Sequence, residues 1–185
     1  MLYRRFKQPQ QRFRLHPPTS LSALLLVLFA ALGPAAFHVT PAYAAGITVD
    51  STADTVAGDG TCTLREAINN ANADADTTGG DCAAGAGDDT ITFGVSGTIG
   101  GGSQQLIIEN NGKLTIDGGG AITVAGNLIG QWVVKEGADA TLAGLTIING
   151  GVYNNGGMLT VSHSTINDVT NNAFLAEGLS TITES

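Results

Sequence analysis

The chain has 185 residues, with 26 glycines and few aromatic side chains, and its formal net charge is −8. All 16 acidic residues follow residue 45, where only Arg65, Lys113 and Lys135 are basic, so this part has a net charge of −13. Such a charge repels nucleic acid, anionic lipid and polyanionic substrates, and we expect none of them as partners. Abundant glycine and small aliphatic residues favour thin, repetitive β layers over a round globular domain.

Residues 1–44 have the organisation of a signal peptide. A basic segment precedes the apolar run Leu21–Leu32, and Ala42-Tyr43-Ala44 provides a small-residue cleavage motif before Ala45. The apolar run is about a dozen residues long and too short to span a bilayer, which requires about 20. We therefore expect general secretion and a mature chain without a transmembrane segment, the alternative being an uncleaved membrane anchor.

An amphipathic helix is predicted at residues 64–72. Its apolar positions recur at i, i+3, i+4 and i+7 and form the predicted core of a cap: Leu64, Ala67, Ile68 and Ala71. Thr63 and Glu66 have the spacing of a capping box, which predicts that the helix begins at Leu64. Arg65 and Glu66 fall on the predicted polar side, where we expect Arg65 to pair with an acidic loop residue.

Cys62 and Cys82 are the two cysteines of the chain, and an even pair in an exported protein predicts a disulfide. Two free thiols or half of a metal site are the alternative. The loop between them contains Asp74, Asp76 and Asp81, and clustered carboxylates attract calcium. The EF-hand spacing fails, so a solvated acidic loop is favoured, no cofactor is expected, and calcium is the one candidate ligand.

Short strand-like segments follow the loop and are separated by Gly, Asn or Asp, which accept left-handed corners. One predicted strand, Ile47–Val49, precedes the helix. The predicted strands that follow it are Ile91–Phe93, Gln105–Ile108, Leu114–Ile116, Ile122–Val124, Trp132–Val134, Ala140–Leu142, Leu145–Ile148, Leu159–Val161 and Ser164–Ile166. Thr141–Asn149 aligns with Thr160–Asp168 at an offset of 19 residues, at the lower edge of solenoid repeats. We therefore predict an all-β parallel β-helix whose N-terminal end the helix covers, with an antiparallel sandwich as the alternative.

A family resemblance begins at the helix. Cys62-Thr63-Leu64-Arg65-Glu66-Ala67 resembles the signature of the CSLREA domain, with Thr63 in place of the usual serine. The similarity continues to Ala73 and includes Asp89–Phe93 and Leu114–Gly120. Gly150–Val161 resembles the polymorphic outer-membrane-protein repeats of bacterial right-handed parallel β-helix proteins.

The resemblance implies an exported bacterial surface protein, located outside the cell or on its outer membrane. It assigns residues 45–89 to a capping domain with the helix and disulfide loop, and residues 90–185 to right-handed coils. It implies no defined catalytic residues. The chain departs from the family pattern after Thr170, where we expect no further coil and therefore either a truncated solenoid or one whose remaining edge is covered by a partner.

The remaining candidate residues are interpreted as structural. Asp117 precedes three glycines, which is typical of a corner, and hydrolysis of a glycoside requires two carboxylates at a defined separation. His163 has serine neighbours, but adjacent residues on a strand point to opposite faces, so neither serine can act as a triad partner of the histidine. We therefore expect His163 to be a solvent-facing strand residue. Trp132, Tyr153 and Phe174 are scattered, which indicates packing more than stacking on sugars.

These observations favour a non-enzymatic β-helix module for surface display, adhesion or structure, whose flank would be its binding surface. The expected partner is a surface glycan or a cell-surface protein. The alternative is a carbohydrate-binding or carbohydrate-active β-helix protein, which would require carboxylates or basic groups gathered on one face of successive coils.

Overall fold

A computed structural model of the protein describes residues 44–100, 104–126, 132–167 and 174–183, so the predicted signal peptide lies almost entirely outside the described residues. The described helix and strands, in chain order, are β1 (Gly46–Val49), α1 (Leu64–Ala73), β2 (Asp89–Phe93), β3 (Gly97–Gly100), β4 (Leu106–Ile108), β5 (Lys113–Ala125), β6 (Trp132–Val134), β7 (Asp139–Ile148), β8 (Val152–Asn154), β9 (Met158–Ser162), β10 (Thr165–Asn167), β11 (Phe174–Ala176) and β12 (Leu179–Thr183). Within them, no helix is both long and apolar enough to cross a membrane.

The strands stack as a parallel β-solenoid of about three turns, which confirms the predicted fold class. Face 1 contains β1, β2, the first half of β5, the first half of β7, β9 and β12. Face 2 contains β3, the second halves of β5 and β7, and β10. Face 3 contains β4, β6, β8 and β11. Every described pair is parallel, so the antiparallel sandwich is wrong.

The core is a ladder of aliphatic side chains that continues from coil to coil. On face 1 the in-register partners along this ladder are Ile47, Ile91, Ile116, Leu142 and Val161. These five residues are at most 2% exposed. Side chains alternate between the two sides of a strand, so every second residue points inward and the apolar–polar alternation of the sequence builds the ladder.

The sequence repeat of 19 residues is one coil of the solenoid. Thr141 pairs with Thr160 in β9, and Thr146 pairs with Thr165 in β10. The coil before it is longer, because Lys113 pairs with Asp139 across 26 positions. The strands of this coil still pair in register with the next coil, but its connecting loops are longer. The spacing between equivalent residues is therefore less regular in the upstream sequence.

The segment after Asp117 is a corner, as predicted, although it lies inside the long strand β5. The register of β5 against β7 shifts between Asp117 and Ile122, and Gly119 has a φ of +57°. The carboxylate of Asp117 accepts the backbone N–H of Gly119 at 2.9 Å. A Cβ on Gly118 would lie 2.6 Å from the carbonyl oxygen of Gly144, so the close approach of two coils requires glycine there.

The structure corrects several strand predictions. Strands β3, β8, β11 and β12 were not predicted, and the last two form a further coil beyond Thr170, so the expectation of no further coil is wrong. Asn154 is fully buried, and its amide donates to the carbonyl of Leu179 at 3.2 Å. Strands β11 and β12 thus form by pairing with β8 and β9 of the preceding coil, although their local sequence pattern does not indicate strands. His163 is also not on a strand, because it occupies a left-handed corner with a φ of +50°.

Helix α1 covers the N-terminal end of the solenoid by packing against β1, β2 and β4. The four predicted apolar positions are at most 3% exposed and join the core. The helix begins at Leu64 and ends at Ala73, one residue beyond the predicted end. One assignment is wrong, because Glu66 is 1% exposed and lies in the packed interface instead of on the polar side.

Candidate functional site

The start of the helix is held by the capping box of Thr63 and Glu66. The Thr63 hydroxyl accepts from the N–H of Glu66 at 3.3 Å, and the Glu66 carboxylate accepts from the N–H of Thr63 at 3.0 Å. The same carboxylate accepts from the N–H of Ala57 at 2.8 Å and so fastens the preceding loop to the helix. Glu66 is therefore a buried structural acceptor with no access to a substrate.

Arg65 joins the cap to the solenoid. Its Nε and Nη2 donate to the two carboxylate oxygens of Asp54 at 2.7 and 2.9 Å, which is the predicted pairing with an acidic loop residue. Its Nη1 and Nη2 also donate to the carbonyls of Gln105 and Gln104, both at 2.9 Å. A bidentate guanidinium with two further acceptors has few donors left for a ligand.

Asn72 closes the edge of β4. Its amide donates to the carbonyl of Ile107 at 2.8 Å and accepts from the N–H of Glu109 at 3.0 Å. These are the backbone groups that a neighbouring strand would bind, so the side chain takes the place of that strand. Asn72 and Arg65 are two helical turns apart and lie on one side of α1. The spacing of seven residues is the sequence feature that indicates a shared role for these two side chains.

The acidic loop is fixed to the helix at two points. Cys62 and Cys82 form a disulfide with a Cα–Cα distance of 4.8 Å, so the free-thiol alternative is wrong. Asn70 is fully buried, and its carbonyl oxygen accepts from the N–H and hydroxyl of Thr77 at 2.7 and 2.6 Å. A Cβ on Gly85 would lie 2.2 Å from the carbonyl oxygen of Asn70, so the loop passes directly over the helix.

The three calcium candidates do not share a common hydrogen-bond partner in the structure. Asp74, Asp76 and Asp81 accept different backbone N–H groups at 2.7, 2.8 and 2.9 Å. Hydrogen bonds from the N–H and hydroxyl of Thr78 lower the pKa of Asp76. Among the described residues, no group of three or more metal-ligating side chains is gathered. The geometry therefore offers calcium no ready-made cage, and calcium binding stays a prediction.

The outer side of face 1 carries one threonine on each strand from β2 to β12, whereas β1 has Gly46 at this position. These threonines are consecutive register partners: Thr90, Thr115, Thr141, Thr160 and Thr181. We call them the threonine column. Strands in a sheet are about 4.8 Å apart, so the column presents a methyl and a hydroxyl group at that regular spacing. Face 2 carries a shorter series on its outer side: Thr98, Thr123, Thr146 and Thr165.

A cleft of about 250 Å³ lies beside the threonine column. Its lining residues are Lys113, Asp139, Met158, Leu159, Thr160, Leu179 and Thr181. Met158 is 49% exposed and Leu179 is 70% exposed, so they form an apolar platform. Within the described residues, no hydrogen bond or ion pair involves the ammonium of Lys113 or the carboxylate of Asp139. The cleft thus offers an apolar surface, two hydroxyl groups and a balanced pair of charges.

The aromatic side chains contribute little to this surface. Trp132 is fully buried, in agreement with packing. Tyr153 lies on face 3, where partial desolvation and the nearby Glu177 raise its pKa. The side chain of Phe174 lies outside the described residues. In the described part of the chain, no aromatic residue lines the cleft on face 1.

Comparisons of the chain with protein-family models, curated proteins and solved structures found no match.

Proposed function

We propose that the protein is an exported, non-enzymatic β-helix module for surface display, adhesion or structure, and that face 1 is its binding surface. The observation that carries this proposal is the threonine column with its adjacent cleft on face 1. The expected partner is a surface glycan or a cell-surface protein, met outside the cell or at the outer membrane.

Export is supported by two independent features. The organisation of residues 1–44 is that of a signal peptide, and the Cys62–Cys82 disulfide is compatible with an oxidising compartment. The motif that begins at Cys62 resembles the CSLREA domain, and we extend that resemblance to the role of a capped bacterial surface protein.

The chemistry of face 1 suits adhesion. Identical groups on successive coils allow a long partner to bind at several rungs at once, so weak contacts add up to a stable attachment. The acidic chain as a whole disfavours anionic partners, whereas the described lining of the cleft contains one basic residue, Lys113, and one acidic residue, Asp139. An uncharged or positively charged surface is therefore the favoured target.

Carbohydrate binding is the second candidate, and the cleft is the observation that favours it. Its volume is below the roughly 300–1,000 Å³ of pockets that enclose a drug-sized ligand, which suits one sugar unit of a chain that continues along the face. Glycoside hydrolysis requires two carboxylates, and among the described residues Asp139 is the one carboxylate that lines the cleft. Binding without turnover is therefore the favoured form of this alternative.

Single lysine substitutions on two faces test the proposal. Thr141→Lys interrupts the threonine column, whereas Thr146→Lys places the same charge on the same coil but on face 2. We expect the face 1 variant to reduce binding to cell surfaces or glycan arrays about tenfold, and the face 2 variant to leave binding unchanged. Equal binding by both variants would remove face 1 as the binding surface. Release of reducing sugars by the unmodified protein would overturn the non-enzymatic proposal.

A further inference from the structure

Ala45, the first residue after the predicted leader, is held against a buried carboxylate. Its N–H donates to Oδ1 of Asp89 at 3.1 Å, and its carbonyl accepts the N–H of Thr90 at 2.8 Å. Its side chain is partly buried and packs against the core. The position of the Ala45 nitrogen is therefore determined by the pairing of β1 with β2.

Asp89 has an acceptor that is not satisfied. The residue is 3% exposed, and its Oδ1 accepts from Ala45 and, at 3.0 Å, from the N–H of Ala86. Its Oδ2 is buried and has no hydrogen-bond partner among the described residues. A buried carboxylate oxygen without a hydrogen-bond donor is costly, because its hydration is lost and no described protein group replaces it.

We propose that removal of the leader at the Ala44–Ala45 bond completes this site, and that the new N-terminal ammonium of Ala45 forms an ion pair with Asp89. Hydrolysis by a signal peptidase breaks the peptide C–N bond and adds one water. It leaves a carboxylate on Ala44 and, after protonation, an ammonium on Ala45. The peptide nitrogen has a single hydrogen to donate, whereas the ammonium has three hydrogens and a positive charge, enough for both oxygens of Asp89.

The electrostatic surroundings support this assignment. Burial raises the pKa of Asp89, and the negative charges of Asp74 and Asp88 raise it further. Among the described residues, no basic side chain donates a hydrogen bond to Asp89. A cation at the Ala45 nitrogen would favour the ionised carboxylate, since an opposite charge within hydrogen-bond distance lowers an acid's pKa. Processing would then stabilise the first strand pair of the solenoid.

The experiment begins with the full chain exported from a bacterial host. Mass spectrometry should show a mature N-terminus at Ala45, and a different start would overturn the proposal. Two chains are then compared, one beginning at Ala45 and one at Ala44. The first described strand begins at Gly46, so both chains contain every described strand of the solenoid. The extra residue moves the ammonium about 3.3 Å along the backbone.

We expect the chain that begins at Ala45 to melt several degrees higher and to show an α-amino pKa above its ordinary value of about 7.7–8.0. Asp89→Asn should abolish the difference between the two chains, whereas Asp88→Asn, which removes an exposed neighbouring carboxylate, should preserve it. Equal melting temperatures for the two starts, or a difference that survives Asp89→Asn, would contradict the ion pair. The comparison of the two starts and the α-amino titration need no substitution, so they remain decisive if Asp89→Asn fails to fold.

Discussion

The two ends of the solenoid differ in how their last rungs are covered. At the N-terminal end, Ile47 occupies the core ladder and is fully buried, with α1 packed beside it. At the other end, Ile182 is the register partner of Val161 in the same ladder, yet 57% of it is exposed. A coil buries its apolar side only against its neighbours, so an end rung depends on whatever covers it. The difference shows that α1 buries the apolar residues of the first coil, as a neighbouring coil buries those of the other coils.

The edges of the strands differ in the same way. On face 3, Asn72 binds the carbonyl of Ile107 in the first strand β4 and the N–H of Glu109 just after it, and Arg65 binds the carbonyl of Gln105 just before it. At the last strands, β11 and β12, each pairs on one side with the preceding coil. An edge strand with unpaired backbone groups is a template for association. The stability of the protein should therefore depend strongly on residues of the cap and weakly on residues of the last coil.

The largest expected effect comes from a charge in the cap interface. Ile68→Asp places a carboxylate where 2% of the side chain is exposed, so we expect a loss of several kcal/mol in unfolding free energy, with aggregation. Ile182→Asp is the matched control at the other end and should cost less than about 1 kcal/mol, because that side chain is already largely solvated. Chemical denaturation and light scattering measure both. A similar cost at the two ends would refute the comparison.

Removal of the disulfide should have the next largest effect. The double substitution Cys62→Ala and Cys82→Ala opens a loop closed over 20 residues and should cost about 3 kcal/mol, because the unfolded chain regains freedom. Denaturation in oxidising and in reducing buffer measures the effect. The substituted protein should match the reduced wild type, and stability unchanged by reduction would show that the bridge contributes nothing to the cap.

Asn72→Ala should cost about 1 kcal/mol, because it removes the partly exposed hydrogen bonds to the carbonyl of Ile107 and the N–H of Glu109. Asn69→Ala is the control on the same helix, since Asn69 is exposed and makes no described hydrogen bond, and it should change stability by less than about 0.5 kcal/mol. Hydrogen exchange of the β4 amides would localise the effect. Unchanged protection at β4 would argue against edge closure by Asn72.

The smallest expected effect concerns the exposed acidic loop and depends on pH. Hydrogen bonds from Thr78 lower the pKa of Asp76 in the folded state, so its ionised form stabilises the protein above the ordinary value of 3.8. That contribution is lost as the pH falls through the lowered pKa. Asp76→Asn should therefore be slightly less stable than wild type at pH 7 and equally stable near pH 2. A difference that grows on acidification would contradict this sign.

Part of the candidate site could be predicted from sequence because its determinants are local. The capping box depends on two residues three positions apart, and the apolar stripe of α1 depends on the helical period. The partners of Asn72, in contrast, are backbone groups of Ile107 and Glu109, which are more than 30 residues away. The sequence also does not identify Asp54 as the partner of Arg65, since the loops contain several acidic residues that could pair with it.

The sequence by itself determined the alternation that separates core from surface, the cap helix, the cysteine pair and the single coil whose length repeats. The register between coils was decided by the tertiary structure, because loops of different length join strands that still align. The alignment produced the threonine column, brought Ala45 against Asp89, and added a last coil at β11 and β12 that local pattern did not indicate. A parallel strand pairs with residues about one coil away, so its partner depends on the path of the whole coil and not on neighbours in sequence.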